Sequence, residues 1–183
     1  MSVRTNAPKL VSVSVMGQIA SPGLPGLPAE PYRLDSAGKP FLWPAYGGIV
    51  YNVSVGDSAF GWLADCVHPG VSISLKDDNG NRGLNLLACV GNTAMVMSGD
   101  AKGVKGVVTG KSGRFSEHVI MHFDKSSREK MAIGDKIVIR SAGAGMDLLD
   151  HPDVMLKSCS LELLEGLEVT SGQDGKLHVP VVA

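Results

Sequence analysis

The feature that most constrains this chain is a glycine-punctuated stretch of fourteen residues, Gly99-Asp100-Ala101-Lys102-Gly103-Val104-Lys105-Gly106-Val107-Val108-Thr109-Gly110-Lys111-Ser112. An apolar run, Ala94-Met95-Val96-Met97, precedes it, and a second apolar run over residues 118–123 follows. Short β-branched runs bounded by glycine read as a strand, a tight turn and a second strand. The stretch constrains how the chain folds and names no reaction.

The same punctuation runs along the whole chain. Glycine occurs 23 times and proline 10 times in 183 residues, which suits many short strands joined by tight turns. Strands are predicted over residues 9–15, 49–53, 71–75, 84–90, 94–97, 104–109, 118–123 and 136–140. Asp77-Asp78-Asn79-Gly80-Asn81 reads as a hairpin turn, because Asn-Gly takes positive φ at little cost. Gly-Asp recurs at Gly56-Asp57, Gly99-Asp100 and Gly134-Asp135, and reads as a turn in which Asp accepts from the backbone. Helix is scarce. One or two turns are expected over residues 126–131, and a short helix follows Ser160 as N-cap, with Gly166 as its stop. Pro22, Pro25, Pro28, Pro31, Pro40 and Pro44 make residues 21–44 an extended arm. Its Leu24, Leu27, Tyr32, Leu34, Phe41 and Trp43 are too apolar for a solvated linker, so the arm is expected to pack on something.

Composition excludes several classes. Apolar residues make up 44% and charged residues 19%, which is ordinary for a globular protein. The 17 Lys and Arg are scattered among 18 acids for a net charge of -1, so nucleic acid is a minority reading. No apolar run is long enough to span a membrane, and the first residues lack the order of a signal peptide, so cytoplasm is the expected location. Cys66, Cys89 and Cys159 are odd in number and widely spaced, which suggests neither a disulfide framework nor a zinc site. Cys89, inside an apolar run, reads as a buried small hydrophobe. The closing run Leu177-His178-Val179-Pro180-Val181-Val182-Ala183 is apolar. It reads as a fragment, a processed precursor or a sheet that a partner completes, against a strand that simply stops there.

Four constellations could carry chemistry. In Asp65-Cys66-Val67-His68, an extended backbone puts Cys66 and His68 on one face, with Cα atoms roughly 6.5–7 Å apart. That pair is within reach of one metal or one substrate; the alternative is a strand ending in a turn at Pro69-Gly70. Over residues 118–123, His118, Ile120 and His122 share one face and Val119, Met121 and Phe123 the other. His118 and His122 stand roughly 13 Å apart along such a strand, too far to hold one metal without help. His118 alone could face a pocket beside Asp100 or Lys111. Asp147, Asp150 and Asp153 surround His151, either as oxygen and imidazole ligands or as a solvated acidic loop. Gly143-Ala144-Gly145 lacks the third glycine and the helix of a dinucleotide fingerprint, and Gly106 to Lys111 lacks P-loop spacing and a following helix.

Lys102-Gly103-Val104-Lys105-Gly106-Val107-Val108 resembles a KOW-type element, the glycine-rich strand-turn-strand of SH3-like barrels in translation and transcription proteins. The resemblance covers under a sixth of the chain and implies fold more than RNA binding. Over most of its length the chain also resembles an uncharacterised bacterial and archaeal family, domain of unknown function 4438. The likeness rests on Gly47-Gly48-Ile49-Val50-Tyr51-Asn52-Val53-Ser54-Val55-Gly56-Asp57, on residues 98–111, and on Leu148-Leu149-Asp150-His151-Pro152-Asp153-Val154. It implies a β-barrel N-terminal portion and an absent C-terminal portion, and it brings no activity.

These observations predict a mainly β chain. A small SH3-like or related β-barrel spans residues 47–142, after an N-terminal strand and Pro-rich wrapping arm over 1–46. A short α+β tail ending in a strand covers 143–183. The leading functional expectation is the N-terminal part of a larger cytoplasmic enzyme-like protein, with a small-molecule pocket completed by another chain or subunit. His68, His118, Asp65 and Asp100 are the candidate catalytic residues, with either histidine as acid or base; Lys102 and Lys111 are the candidate anion anchors. No metal ligand set is expected, and no cofactor is specified. A C-terminal fragment or second subunit and a homo-oligomer are the expected partners. One alternative is an RNA-binding or ribosome-associated module using Lys102, Lys105, Lys111 and Arg114; another is a structural assembly subunit.

Overall fold

Six antiparallel strands close into a barrel in the computed structural model, which describes residues 3–23, 32–42, 47–53, 68–112 and 117–181. In chain order the elements are β1 (Val13–Ile19), β2 (Tyr32–Leu34), β3 (Pro40–Leu42), β4 (Gly48–Val50), β5 (Gly70–Ser74), α1 (Asp78–Leu87), β6 (Thr93–Val96) and β7 (Lys105–Lys111). They continue with β8 (Val119–His122), α2 (Lys125–Arg128), β9 (Lys136–Ser141), α3 (Leu161–Gly166), β10 (Thr170–Ser171) and β11 (Leu177–His178). The barrel order is β1-β9-β6-β7-β8-β5, closed by pairing of β5 with β1 through Gln18↔Ser74 and Ile19↔Ile73. β4 adds to β5 through Gly48↔Ser72.

The barrel follows from two-residue alternation. Val71 and Ile73 of β5, Val119 and Met121 of β8, and Ile137 and Ile139 of β9 point into one apolar core and are fully buried. Each such side chain contributes about 1.5–3 kcal/mol on leaving water. The strand-turn-strand expected at Gly99 is present: β6 and β7 pair through Ala94↔Gly106, and Gly99 and Gly103 take φ of 71° and 90° in the turn. Gly106 is needed for packing, since a Cβ there would press on the ring of Phe123.

The structure corrects four local readings. Residues 77–90 form no hairpin turn and strand but α1, because Asp77 caps a helix by accepting from Gly80 N at 2.5 Å. Asn81 Oδ1 accepts from Leu75 N at 2.9 Å, and Leu84 buries itself against Gly17 and Ile73, so tertiary packing overrides weak helix propensity. The first strand lies at β1 rather than over residues 9–15, and Ala7–Lys9 is a 3-10 turn. The barrel does not begin at Gly47, for β1 is one of its strands although it precedes the arm. Within the arm, β2 and β3 pair as a hairpin in which Asp35 Oδ1 accepts from Ala37 N and Lys39 N, both at 2.8 Å. The rest of the arm's apolar run, at residues 24–31 and 43–46, lies outside the described residues.

The tail carries its own small core. Met146, Leu148 and Leu164 are buried, with Val3, Leu10, Leu161 and Val169 packed on them. α3 has the expected cap, Ser160 Oγ accepting from Leu163 N at 3.1 Å. β10 pairs with β11, and a parallel bridge between Val90 and Cys159 joins the tail to the barrel. Among the described residues no helix is long and apolar enough to cross a membrane.

Candidate functional site

Two histidines meet on the outer face of the barrel wall. His118 immediately precedes β8, and because Val119 and Met121 point inward, His118 and Ile120 point outward. Ser72 of β5 is the cross-strand partner of Ile120 and shares that outer face. His68, just before β5, folds over it. Its Nδ1 accepts from Gly47 N at 3.1 Å and lies 3.2 Å from Ser72 Oγ. The rings of His68 and His118 meet edge to face, with centroids 5.5 Å apart and planes at 72°. His68 is 2% exposed and Ser72 fully buried.

This geometry decides the protonation of His68. An amide N–H can donate only to an unprotonated ring nitrogen, so Gly47 assigns the neutral tautomer with its proton on Nε2. Burial first, and the neighbouring His118 second, push the pKa of His68 down to about 4. Burial also lowers that of His118. Both imidazoles are therefore neutral at neutral pH: one presents an Nε2–H donor, and the other is a neutral ring able to take up a proton. Gly47 makes the arrangement possible. It has φ 74°, and a Cβ there would lie 3.3 Å from His118 Cε1.

The other expected site residues do not gather at this pair. Asp65 lies outside the described residues, as do Cys66, Asp57 and Arg114. Asp100 and Lys102 are exposed on the β6–β7 turn. They sit beyond one end of β7, and the seven residues of that strand put about 20 Å between them and Lys111. Lys111 pairs with Val119, which places it on the core side of the wall, opposite His118. Its Nζ donates to Ser158 Oγ at 2.9 Å, and burial lowers its pKa beside Cys89. The strand between them holds Lys102 and Lys111 apart, and half-buried Lys111 lies away from exposed Lys102 and Lys105. Cys89 is fully buried, as expected.

The acidic loop is tied to the N-terminal segment. Asp150 pairs with Arg4, whose Nε donates to Oδ1 at 3.0 Å, and Asp147 N donates to Asn6 Oδ1 at 2.9 Å. His151 Nε2 lies 2.7 Å from Ser171 Oγ. Among the described residues no group of three or more His, Cys, Asp or Glu could hold a metal ion.

Gly47 and Ser72 belong to the site and were not singled out from sequence. The Gly47-Gly48 doublet and one serine inside the run Val71-Ser72-Ile73 are the only local signals of them.

The sequence matches the family model described as "Domain of unknown function (DUF4438), N-terminal" over residues 32–165. It is 45% identical to the chain in the crystal structure of TM1086, with a TM-score of 0.87. The match covers 100% of this chain and 62% of that one, so the chain spans less than two thirds of that relative. No curated protein matches it.

Proposed function

We propose a function from one premise: this chain belongs to the DUF4438 family, whose N-terminal domain model it matches. It is the β-barrel portion of a larger cytoplasmic enzyme-like protein that moves a proton on a small molecule. His118 is the base and His68 its hydrogen-bond-donating partner. The observation that carries this reading is the edge-to-face contact of two neutral, desolvated imidazoles, with the tautomer of His68 held by Gly47. In that state His68 holds the substrate by a hydrogen bond from Nε2–H while His118 takes up the proton, and a positioned base of this kind contributes typically 10²–10⁴-fold to a rate. The remaining walls come from further polypeptide, either the rest of a longer chain or a second subunit. The greater length of the TM1086 chain supports this.

The experiment is a thermal-shift screen of small carboxylic acids, alcohols and amines against the full-length protein, repeated with His118→Gln and His68→Gln. A compound that stabilises the parent protein near neutral pH, and loses that effect in both variants, supports the reading. Hits that bind both variants as well as the parent contradict it, and so does a screen without hits.

A further inference from the structure

A cavity of about 330 Å3 opens in the tail, away from the histidine pair. Its volume lies at the lower end of the range for small-molecule sites, roughly 300–1,000 Å3. The apolar lining is Val3, Leu161, Leu164 and Val169, so it draws on the N-terminal segment, α3 and the residue before β10. Leu164 is itself 8% exposed and belongs to the tail core, which gives the cavity a packed floor. Among the described residues the charged lining is of one sign: Glu165 and Glu168 stand at the cavity, and no lysine or arginine lines it. Neither carboxylate has an ion-pair partner among the described residues. Glu165 lies in the last turn of α3 and Glu168 just past its C-cap Leu167, where the last carbonyls already carry partial negative charge. An apolar slot that also carries unpaired negative charge complements one kind of molecule, with an alkyl body and a cationic head.

We propose that this cavity binds a small aliphatic amine as its ammonium ion. The alkyl chain lies on Val3, Leu161, Leu164 and Val169, and the ammonium group on Glu165 and Glu168. The site is independent of the proton-transfer reading, since it shares no residue with the histidine pair.

The test is an amide NMR titration with hexylamine, hexan-1-ol and hexanoate as probes. Hexylamine is expected to give saturable shifts at Val3, Thr5, Leu164 and Val169, with hexan-1-ol weaker and hexanoate not saturating. The double variant Glu165→Gln with Glu168→Gln changes two exposed side chains, keeps the fold, and weakens hexylamine by about fivefold or more. The proposal is overturned if hexylamine fails to saturate those amides, if hexan-1-ol binds as tightly, or if the double variant binds hexylamine like the parent.

Discussion

The Asp135 carboxylate fills the space that a side chain at Gly99 would need. Asp135 is 9% exposed and accepts from Ser98 Oγ at 3.2 Å and Ala132 N at 2.9 Å, while Ser98 Oγ accepts from Lys136 N at 2.8 Å. Two of the Gly-Asp turns are thereby locked together, fastening β6 to β9 at one end of the barrel. Gly99→Ala is expected to cost about 2–4 kcal/mol, of which about 1 kcal/mol is the left-handed φ and the rest the displaced carboxylate. Gly103→Ala, at φ 90° with nothing within 4 Å, should cost only about 1 kcal/mol. Urea unfolding compares the two; equal losses would contradict the packing account.

Arg128 is expected to be a structural cation. It is 2% exposed; its Nη1 donates to Phe123 O at 2.7 Å and its Nη2 to Tyr51 O at 3.4 Å. The guanidinium bridges the chain beyond β8 to the chain beyond β4, past the point where β5 begins. Among the described residues its Nε has no hydrogen-bond partner and no carboxylate pairs with it. Arg128→Ala should cost about 3–4 kcal/mol through two orphaned carbonyls and a cavity. Chemical denaturation showing a loss under about 1 kcal/mol would exclude that role.

Helix caps offer a milder test. Asp77→Ala and Ser160→Ala each remove an oxygen that accepts a backbone N–H of the first turn. Each should lower stability by about 0.5–2 kcal/mol, with the buried Ser160 toward the upper end. Circular dichroism melts of the two variants check this order.

What could be read from sequence divides by range. The alternation at residues 118–123 sorted inward from outward side chains correctly, because period two is a property of the strand itself. The cap at Ser160 was equally local. Asp77 carries the same kind of signal, yet Asp77 to Asn81 also fits a hairpin turn. Only the burial of Leu84 against Gly17, 67 positions earlier in the chain, decides for helix. The site shows the same limit. His68 and His118 were candidates as residue types, but their contact depends on β5 lying beside β8. Asp100 and Lys102 looked close to Lys111 in sequence, and an extended strand carries them away.

Stability should fall in acid through the histidine pair. His68 takes up a proton at about pH 4 when folded and near 6.5 when unfolded, so between these values the unfolded state binds more protons. Stability is therefore fully present above about pH 6.5, declines as pH falls toward 4, and loses no more from this residue below that. The loss is on the order of 3 kcal/mol for His68, and His118 adds to it in the same direction. Melting temperature against pH should show the slope, and His68→Gln should flatten it in part; an unchanged slope would refute the assignment.

Proton NMR of the imidazole Cε1–H resonances, followed from neutral pH into acid, tests the central claim most directly. The account predicts a midpoint for His68 near 4 and one for His118 below the ordinary value of about 6.5, with His68 moving upward in His118→Gln. Two independent titrations near 6.5, unaffected by replacing the other ring, would contradict it.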